Sequence, residues 1–386
     1  MTYRNLFFLL LAAGVVTQSC SSSKHTTAGQ AVESHVVYEP GGIYTSMRIP
    51  ALVITKQNTL LAFCEARIGS ASDWAGMHLA LRRSTDEGKT WSGITVIDSS
   101  REYPAGNPVP IVDDNGTIHL LYQKNYNEGY YTWSADDGRT WATPVNITSV
   151  YDQFRNEYSW KVLAPGPGHG IQLKNGRLLA AAWLANSRRL TPHRSHWPSC
   201  LVTIYSDDHG KTWQRGAIVA DSSAAVANPS ESTPVQLADG RVLLSIRTAT
   251  PVKRRAFSIS NTGISGWSPV WFEDELFDPT CMASIISLPA LENNGHIPLL
   301  FANPDSRNIE KHPRRNLTVK VSYDDGKTWP VQQVLDSGPS GYSDMAVGRQ
   351  NTVYCLYETN TKNFKGFNYS LVLKKFNAAW ITKNKK

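Results

Sequence analysis

The groups in this chain that could do chemistry are arginines, carboxylates and a tyrosine set beside short apolar runs. Met47-Arg48-Ile49-Pro50-Ala51 places an arginine just before a strand, and Leu61-Ala62-Phe63-Cys64-Glu65-Ala66-Arg67 follows, with Asp73 six residues beyond Arg67. Comparable groupings stand at Ser230-Glu231-Ser232, Ser245-Ile246-Arg247, Arg314-Arg315-Asn316-Leu317-Thr318, Gly338-Pro339-Ser340-Gly341-Tyr342-Ser343-Asp344 and Leu356-Tyr357-Glu358. Guanidinium groups that converge can hold a carboxylate through charge-assisted forks that lysine does not replace. Carboxylates can pass protons, and a phenol with a base partner can act as a nucleophile. Taken singly, each arginine reads as a surface residue and each tyrosine as a half-buried packing residue.

The remaining chemistry-bearing types point elsewhere only weakly. No Gly-rich phosphate loop, metal-ligand cluster or G-x-S-x-G elbow appears, so neither a metal nor an organic cofactor is expected. Cys64, Cys200, Cys281 and Cys355 are widely spaced, with no C-x-x-C pair, and read as buried thiols. Lys+Arg of 39 against Asp+Glu of 32 gives a net charge of +7. That favours anionic ligands, but without a basic stripe it argues against nucleic acid.

These residues need a frame, and the chain supplies one by repetition. Ser84-Thr85-Asp86-Glu87-Gly88-Lys89-Thr90-Trp91 recurs almost unchanged at 134–141, 206–213 and 322–329, each copy reading S-x-D-x-G-x-T-W. Turn-forming Asp and Gly beside a tryptophan make each box a hairpin corner, structural by default. A degenerate fifth copy spans Ser260 to Trp267. Between the boxes, short apolar runs alternate with turn signals such as Asp114-Asn115-Gly116, Asn175-Gly176 and Asp239-Gly240, as four-stranded antiparallel meanders require. Six such units fill residues 36–380, so an all-β, six-bladed β-propeller is expected. A composition that is 41% hydrophobic, with 12 Trp and 16 Tyr, is ample for its core.

R-I-P, then L-x-A-F-x-E-x-R, an Asp, and R-R-S before the first box resemble the exo-sialidases. Gly166-Pro167-Gly168-His169-Gly170-Ile171-Gln172-Leu173 and the groupings above continue the resemblance in order, from residue 38 to about 375. The resemblance implies an exo-α-sialidase without a cofactor, acting on sialylated glycans, glycoproteins or gangliosides with retention of configuration. It assigns Arg48, Arg247 and Arg314 to the substrate carboxylate, Tyr342 to nucleophilic attack, Glu231 to its proton and Asp73 to acid/base work. A phenol suits a reacting carbon that already bears a negative charge, because a carboxylate nucleophile would be repelled. The resemblance also makes Glu358 the brace of Arg48 and Arg67 a further pocket arginine. Arg314 is chosen over Arg315 on the pattern R-x-N. Gly76-Met77-His78 and Trp74 depart from the family pattern, and the segments 151–160 and 186–198 receive no role from it.

Residues 1–20 are of another kind: Arg4, then the apolar stretch Leu6 to Val16, too short to span a bilayer, which reads as an export signal. Thr17-Gln18-Ser19-Cys20 resembles a bacterial lipoprotein signal that lacks Leu three residues before the cysteine. Two readings stay open, lipidated Cys20 or ordinary cleavage nearby. Residues 21–35 read as a Ser/Thr-rich tether. The expectation is an exported monomer, periplasmic or at the cell surface, meeting a membrane only through a lipid on Cys20. Two other functional readings also stay open. One is a non-catalytic propeller that binds glycan or protein, and the other is a related enzyme that transfers sialic acid, forms an anhydro sugar or prefers a deaminated nonulosonic acid.

Overall fold

The computed structural model describes residues 1–2, 32–292, 294–311, 313–360, 369–377 and 380–381. Apart from its first two residues, the expected signal segment 1–20 lies outside the described residues, as does the expected tether up to residue 31. Among the described residues, six antiparallel sheets form the six blades of a β-propeller, with almost no helix.

From the axis outward, blade one uses Tyr44–Ile54, Leu60–Ile68, Met77–Ser84 and Thr95–Ser100. Blade two uses Ala105–Val112, Ile118–Lys124, Glu128–Ser134 and Val145–Asn146. In blade three the inner strand is broken into Val162–Pro165 and Ile171–Gln172, both paired with Leu178–Ala185, and Ser199–Ser206 and Gln214–Asp221 complete it. Blades four and five use Ser232–Gln236, Val242–Ile246, Arg254–Ser260 and Trp271–Phe277, then Ser284–Ser287, Leu299–Pro304, Arg315–Ser322 and Val331–Pro339. Blade six takes Ser343–Val347, Thr352–Thr359 and Ser370–Asn377 from the end of the chain, and its outer strand, Glu33–Tyr38, from the start. The propeller therefore starts three residues before the expected boundary at 36, and the first strand closes the ring.

The second strands show why the apolar runs are near-continuous rather than strictly alternating. Leu60 to Arg67 is buried at every position, because a blade is covered on both faces by its neighbours. Every blade boundary holds an apolar cluster. Leu60 meets Leu373 between blades one and six, Phe63 lies with Tyr122 between one and two, and Leu121 with Leu184 between two and three. Leu201 and Leu244, Phe257 and Phe301, and Leu300 and Val353 belong to the next three. Each fully buried side chain of this size contributes about 1.5–3 kcal/mol. The segment 151–160 belongs to this packing: Tyr151, Phe154 and Trp160 follow the short helix Thr148–Asp152 into the boundary between blades two and three.

Each box joins the third strand of its blade to the outer one. In the second, Asp136 accepts from Ser134 Oγ at 2.8 Å, Thr140 N at 2.9 Å and Thr140 Oγ1 at 2.7 Å, while Gly138 N donates to Ser134 Oγ. The other three repeat the pattern. Gly210, with φ of 80°, shows why glycine is required, since a Cβ there would lie 2.2 Å from the Tyr131 hydroxyl. In the degenerate copy Ser260 Oγ still accepts from Gly263 N at 3.0 Å, but Thr262 stands in place of the Asp. Removing one box carboxylate, as in Asp136→Ala, should lower the unfolding free energy by about 1–3 kcal/mol, read from urea midpoints at unchanged m.

Candidate active site

The inner strands end in irregular backbone at one mouth of the central channel, and that irregularity aims the side chains. In the innermost strand of blade one a bulge lies between Arg48 and Ala51, with Ile49 at φ 59°. A β-branched residue takes that conformation only at a cost, on the order of 1–3 kcal/mol, and only where its surroundings impose it. Here Glu358 imposes it. Its carboxylate accepts from Ile49 N at 2.9 Å, Arg48 Nε at 3.0 Å, Arg48 Nη2 at 3.1 Å and Tyr342 N at 3.1 Å. Gly341 is glycine for the same reason, since a Cβ there would meet Glu358 Oε2 at 2.2 Å.

Tyr342 thus enters the cavity from a backbone fixed on both sides, and its hydroxyl donates to Glu231 Oε1 at 2.7 Å. Glu231 lies just before the inner strand of blade four and pairs by main chain with Arg247, beyond the end of the second strand. The Arg247 guanidinium donates to both Glu231 and the Tyr342 hydroxyl. The guanidinium carbons of Arg48, Arg314 and Arg247 lie 5.4, 5.4 and 5.7 Å from the centre of the Tyr342 ring. Burial, opposed by Arg247 and reinforced by Glu231, pushes the phenol well above its ordinary value, so Tyr342 is neutral at rest. Arg314 donates to the Thr280 carbonyl at 2.6 Å, whereas Arg315 turns away to the Ser337 carbonyl. Asn316, at φ 59°, sits in the bulge that follows them, between Arg315 and Leu317, a left-handed conformation that suits the Asn of the R-x-N pattern.

Asp73 stands at the rim on the loop after Leu60–Ile68. Arg67 Nη1 lies 2.8 Å from its carboxylate and Arg48 Nη1 3.6 Å. Burial opposes its ionisation, but Arg67, Arg48 and His196 outweigh that and hold the carboxyl down to about 2. Arg67 itself is wholly buried, bonded to Glu65 at 2.7 Å and to the Ala71 carbonyl at 2.7 Å. Arg67 is thus placed outside the lining of the cavity, with its guanidinium against Asp73. Glu65 in turn reaches Asn107 N at 3.0 Å, an approach open only because Gly106 carries no side chain.

These residues line a cavity of about 480 Å³ that contains Arg48, Asp73, Glu231, Arg247, Arg314 and Tyr342, but not Arg67, Glu358 or any box residue. Its opposite wall is aromatic: Trp74, Tyr126, Trp183, His196 and Trp197. Trp183 Nε1 and His196 Nε2 are buried and have no hydrogen-bond partner among the described residues. Sequence reasoning missed Tyr126 and Trp183 and left 186–198 without a role. The available signal was the run His193-Arg194-Ser195-His196-Trp197, set in a long connection within a blade otherwise built on short ones.

Residues 94–355 match the family described as BNR repeat-like domain. A sialidase of Micromonospora viridifaciens is 29% identical over 369 residues, and a sialidase of Bacteroides fragilis is 30% identical over 354, covering 88% and 82% of this chain. The chain belongs to the BNR repeat-like domain family. It spans 52% and 60% of the lengths of those two sialidases. Among solved structures, Hadza microbial sialidase Hz136 superposes with a TM-score of 0.74 at 27% identity, over 90% of this chain and 69% of that one.

In this BNR-repeat propeller the Arg48–Glu358 pair is open to a direct test. Glu358→Ala leaves a buried guanidinium without its counter-charge and two backbone N–H groups without an acceptor, and should cost about 3–5 kcal/mol by chemical denaturation. Glu358→Gln, which keeps the acceptor oxygen, should cost less.

Proposed function

We propose that the protein is an exo-α-sialidase that releases terminal sialic acid from glycoconjugates with retention of configuration. The observation that carries this reading is the 2.7 Å hydrogen bond from Tyr342 to Glu231, inside a ring of three guanidinium groups. The guanidinium groups suit the carboxylate on the anomeric carbon, and the Tyr342 oxygen lies among them where that carbon would rest. As Tyr342 Oη forms its bond to the anomeric carbon, Glu231 takes the phenol proton and the glycosidic bond breaks. Asp73 gives a proton to the departing oxygen. In the second step Asp73 takes a proton from water, whose oxygen attacks the same carbon, and the tyrosine ether breaks as Glu231 returns its proton.

A glycan-binding propeller without catalysis would need the arginines but neither a carboxylate on the phenol nor one at the rim, so Glu231 and Asp73 support the catalytic reading. The relatives named above support the activity as well, being sialidases of which this chain matches a part. Sialylated glycans, glycoproteins or gangliosides are the proposed substrates. Export, with Cys20 lipidated at a membrane surface, is proposed from the sequence, and no described helix is long and apolar enough to cross a membrane.

On a fluorogenic α-sialoside, Tyr342→Phe should lower kcat by at least about 10³-fold. Undiminished turnover in that variant would reject the nucleophile, and an inactive wild type would reject the hydrolase. The proton held off Asp73 supplies a second test. Free Asp73 is ionised above about 2, because Arg67 and Arg48 outweigh its burial. A bound carboxylate that neutralises Arg48 raises that value, so binding of sialic acid should be accompanied by proton uptake at acid pH, above about 2. Calorimetry in buffers of different ionisation enthalpy should show this uptake in wild type and not in Asp73→Asn.

A further inference from the structure

We infer that the connection 186–198 of blade three clamps the loop that carries Asp73, with His193 and Arg194 acting as positioning residues for the acid through Trp74. This rests on the assignment of Asp73 as proton donor. The clamp is a matter of geometry. Trp74 directly follows Asp73, and the His193 ring stacks on it at 5.0 Å with an interplanar angle of 5°. The Arg194 guanidinium carbon lies 5.3 Å from the same ring, and His196 meets it at 5.6 Å. Tyr126 of blade two closes the group at 5.0 Å from Trp74 and 4.6 Å from His196.

The loop needs such a hold. Among the described residues, the hydrogen bonds of 70–75 are local, as in Trp74 N to Ser72 Oγ at 3.1 Å, or come from Arg67. Arg67 fixes the base of the loop from blade one, and nothing polar in that set fixes the tryptophan. The connection from blade three is itself braced: buried Ser195 bonds to Arg189 N and to the Trp197 carbonyl, and the Tyr158 hydroxyl donates to the Pro198 carbonyl at 2.7 Å. Arg194 donates to the Asn125 carbonyl, tying the grip to the hairpin that presents Tyr126. Two blades apart in the ring, a rigid connection and the acid's loop meet only through stacked rings. The stack orients the loop through the Trp74 ring, while His196 of the same connection joins Arg67 and Arg48 in holding Asp73 ionised.

The test uses the leaving group. An aryl sialoside with a nitrophenol leaving group departs without a proton, whereas sialyl-lactose requires one. His193→Ala, at an exposed position where folding should survive, should lower kcat on sialyl-lactose by about 10–100-fold and on the nitrophenyl sialoside by less than about threefold. Arg194→Ala should act in the same direction. His193→Phe, which keeps a stacking ring, should restore the loss. Asp73→Asn, measured in parallel, should show the same discrimination at larger size. Equal loss on both substrates, or no loss, in His193→Ala and Arg194→Ala while Asp73→Asn still discriminates overturns the clamp alone. Absence of discrimination in Asp73→Asn overturns the acid assignment and the clamp with it.

Discussion

The carboxylate of Glu358 is the constraint from which the site follows. It is wholly buried and accepts four hydrogen bonds, two from Arg48, one from Ile49 N and one from Tyr342 N. A buried charge is tolerable only when paired and saturated in this way, and here its donors come from opposite ends of the chain. The same contacts that satisfy it force Ile49 into a strained conformation, fix the direction of Arg48 and seat Tyr342. Closing the ring and shaping the mouth of the cavity are thus one event.

Around that point, charge is arranged by depth. Arg67 with Glu65, and Asp344 with His169 at 2.7 Å, are fully inside and compensated, and they hold backbone from several blades. Two of the three guanidinium groups nearer the cavity carry less compensation: Arg247 shares Glu231 with the phenol, and Arg314 rests on a neutral carbonyl. Positive potential is therefore left over where an anion can reach it. Arg67 and Arg48 also hold the rim carboxylate of Asp73 ionised.

The parts of this structure legible in the sequence are those whose causes are local. A box is closed by hydrogen bonds between residues at most four apart, so Ser134, Asp136, Gly138 and Thr140 declare their turn without knowledge of the fold. Arg48, Glu231, Arg247, Arg314, Tyr342 and Glu358 stand out through motif order, and the two neighbouring arginines turn to different partners, so that Arg314 and not Arg315 lines the cavity. What the sequence concealed depends on the third dimension. Arg67 sits beneath the pocket because Glu65 and Asp73 draw its guanidinium inward, which its spacing does not reveal. The stack of His193 on Trp74 joins residues more than a hundred positions apart, in blades that are not neighbours, and only the bend of the ring brings them together.

The outer strand of blade six has a mechanical consequence. Glu33 pairs with Lys375 at the end of the ladder nearest both chain termini, and the pairing runs inward to Tyr38 opposite Leu371. Tension between the termini would load this ladder as a zipper, breaking its bonds in succession from Glu33 inward instead of shearing them together. The ring is strongest against heat and solvent where its blades share cores, and weakest against a pull on its own two ends.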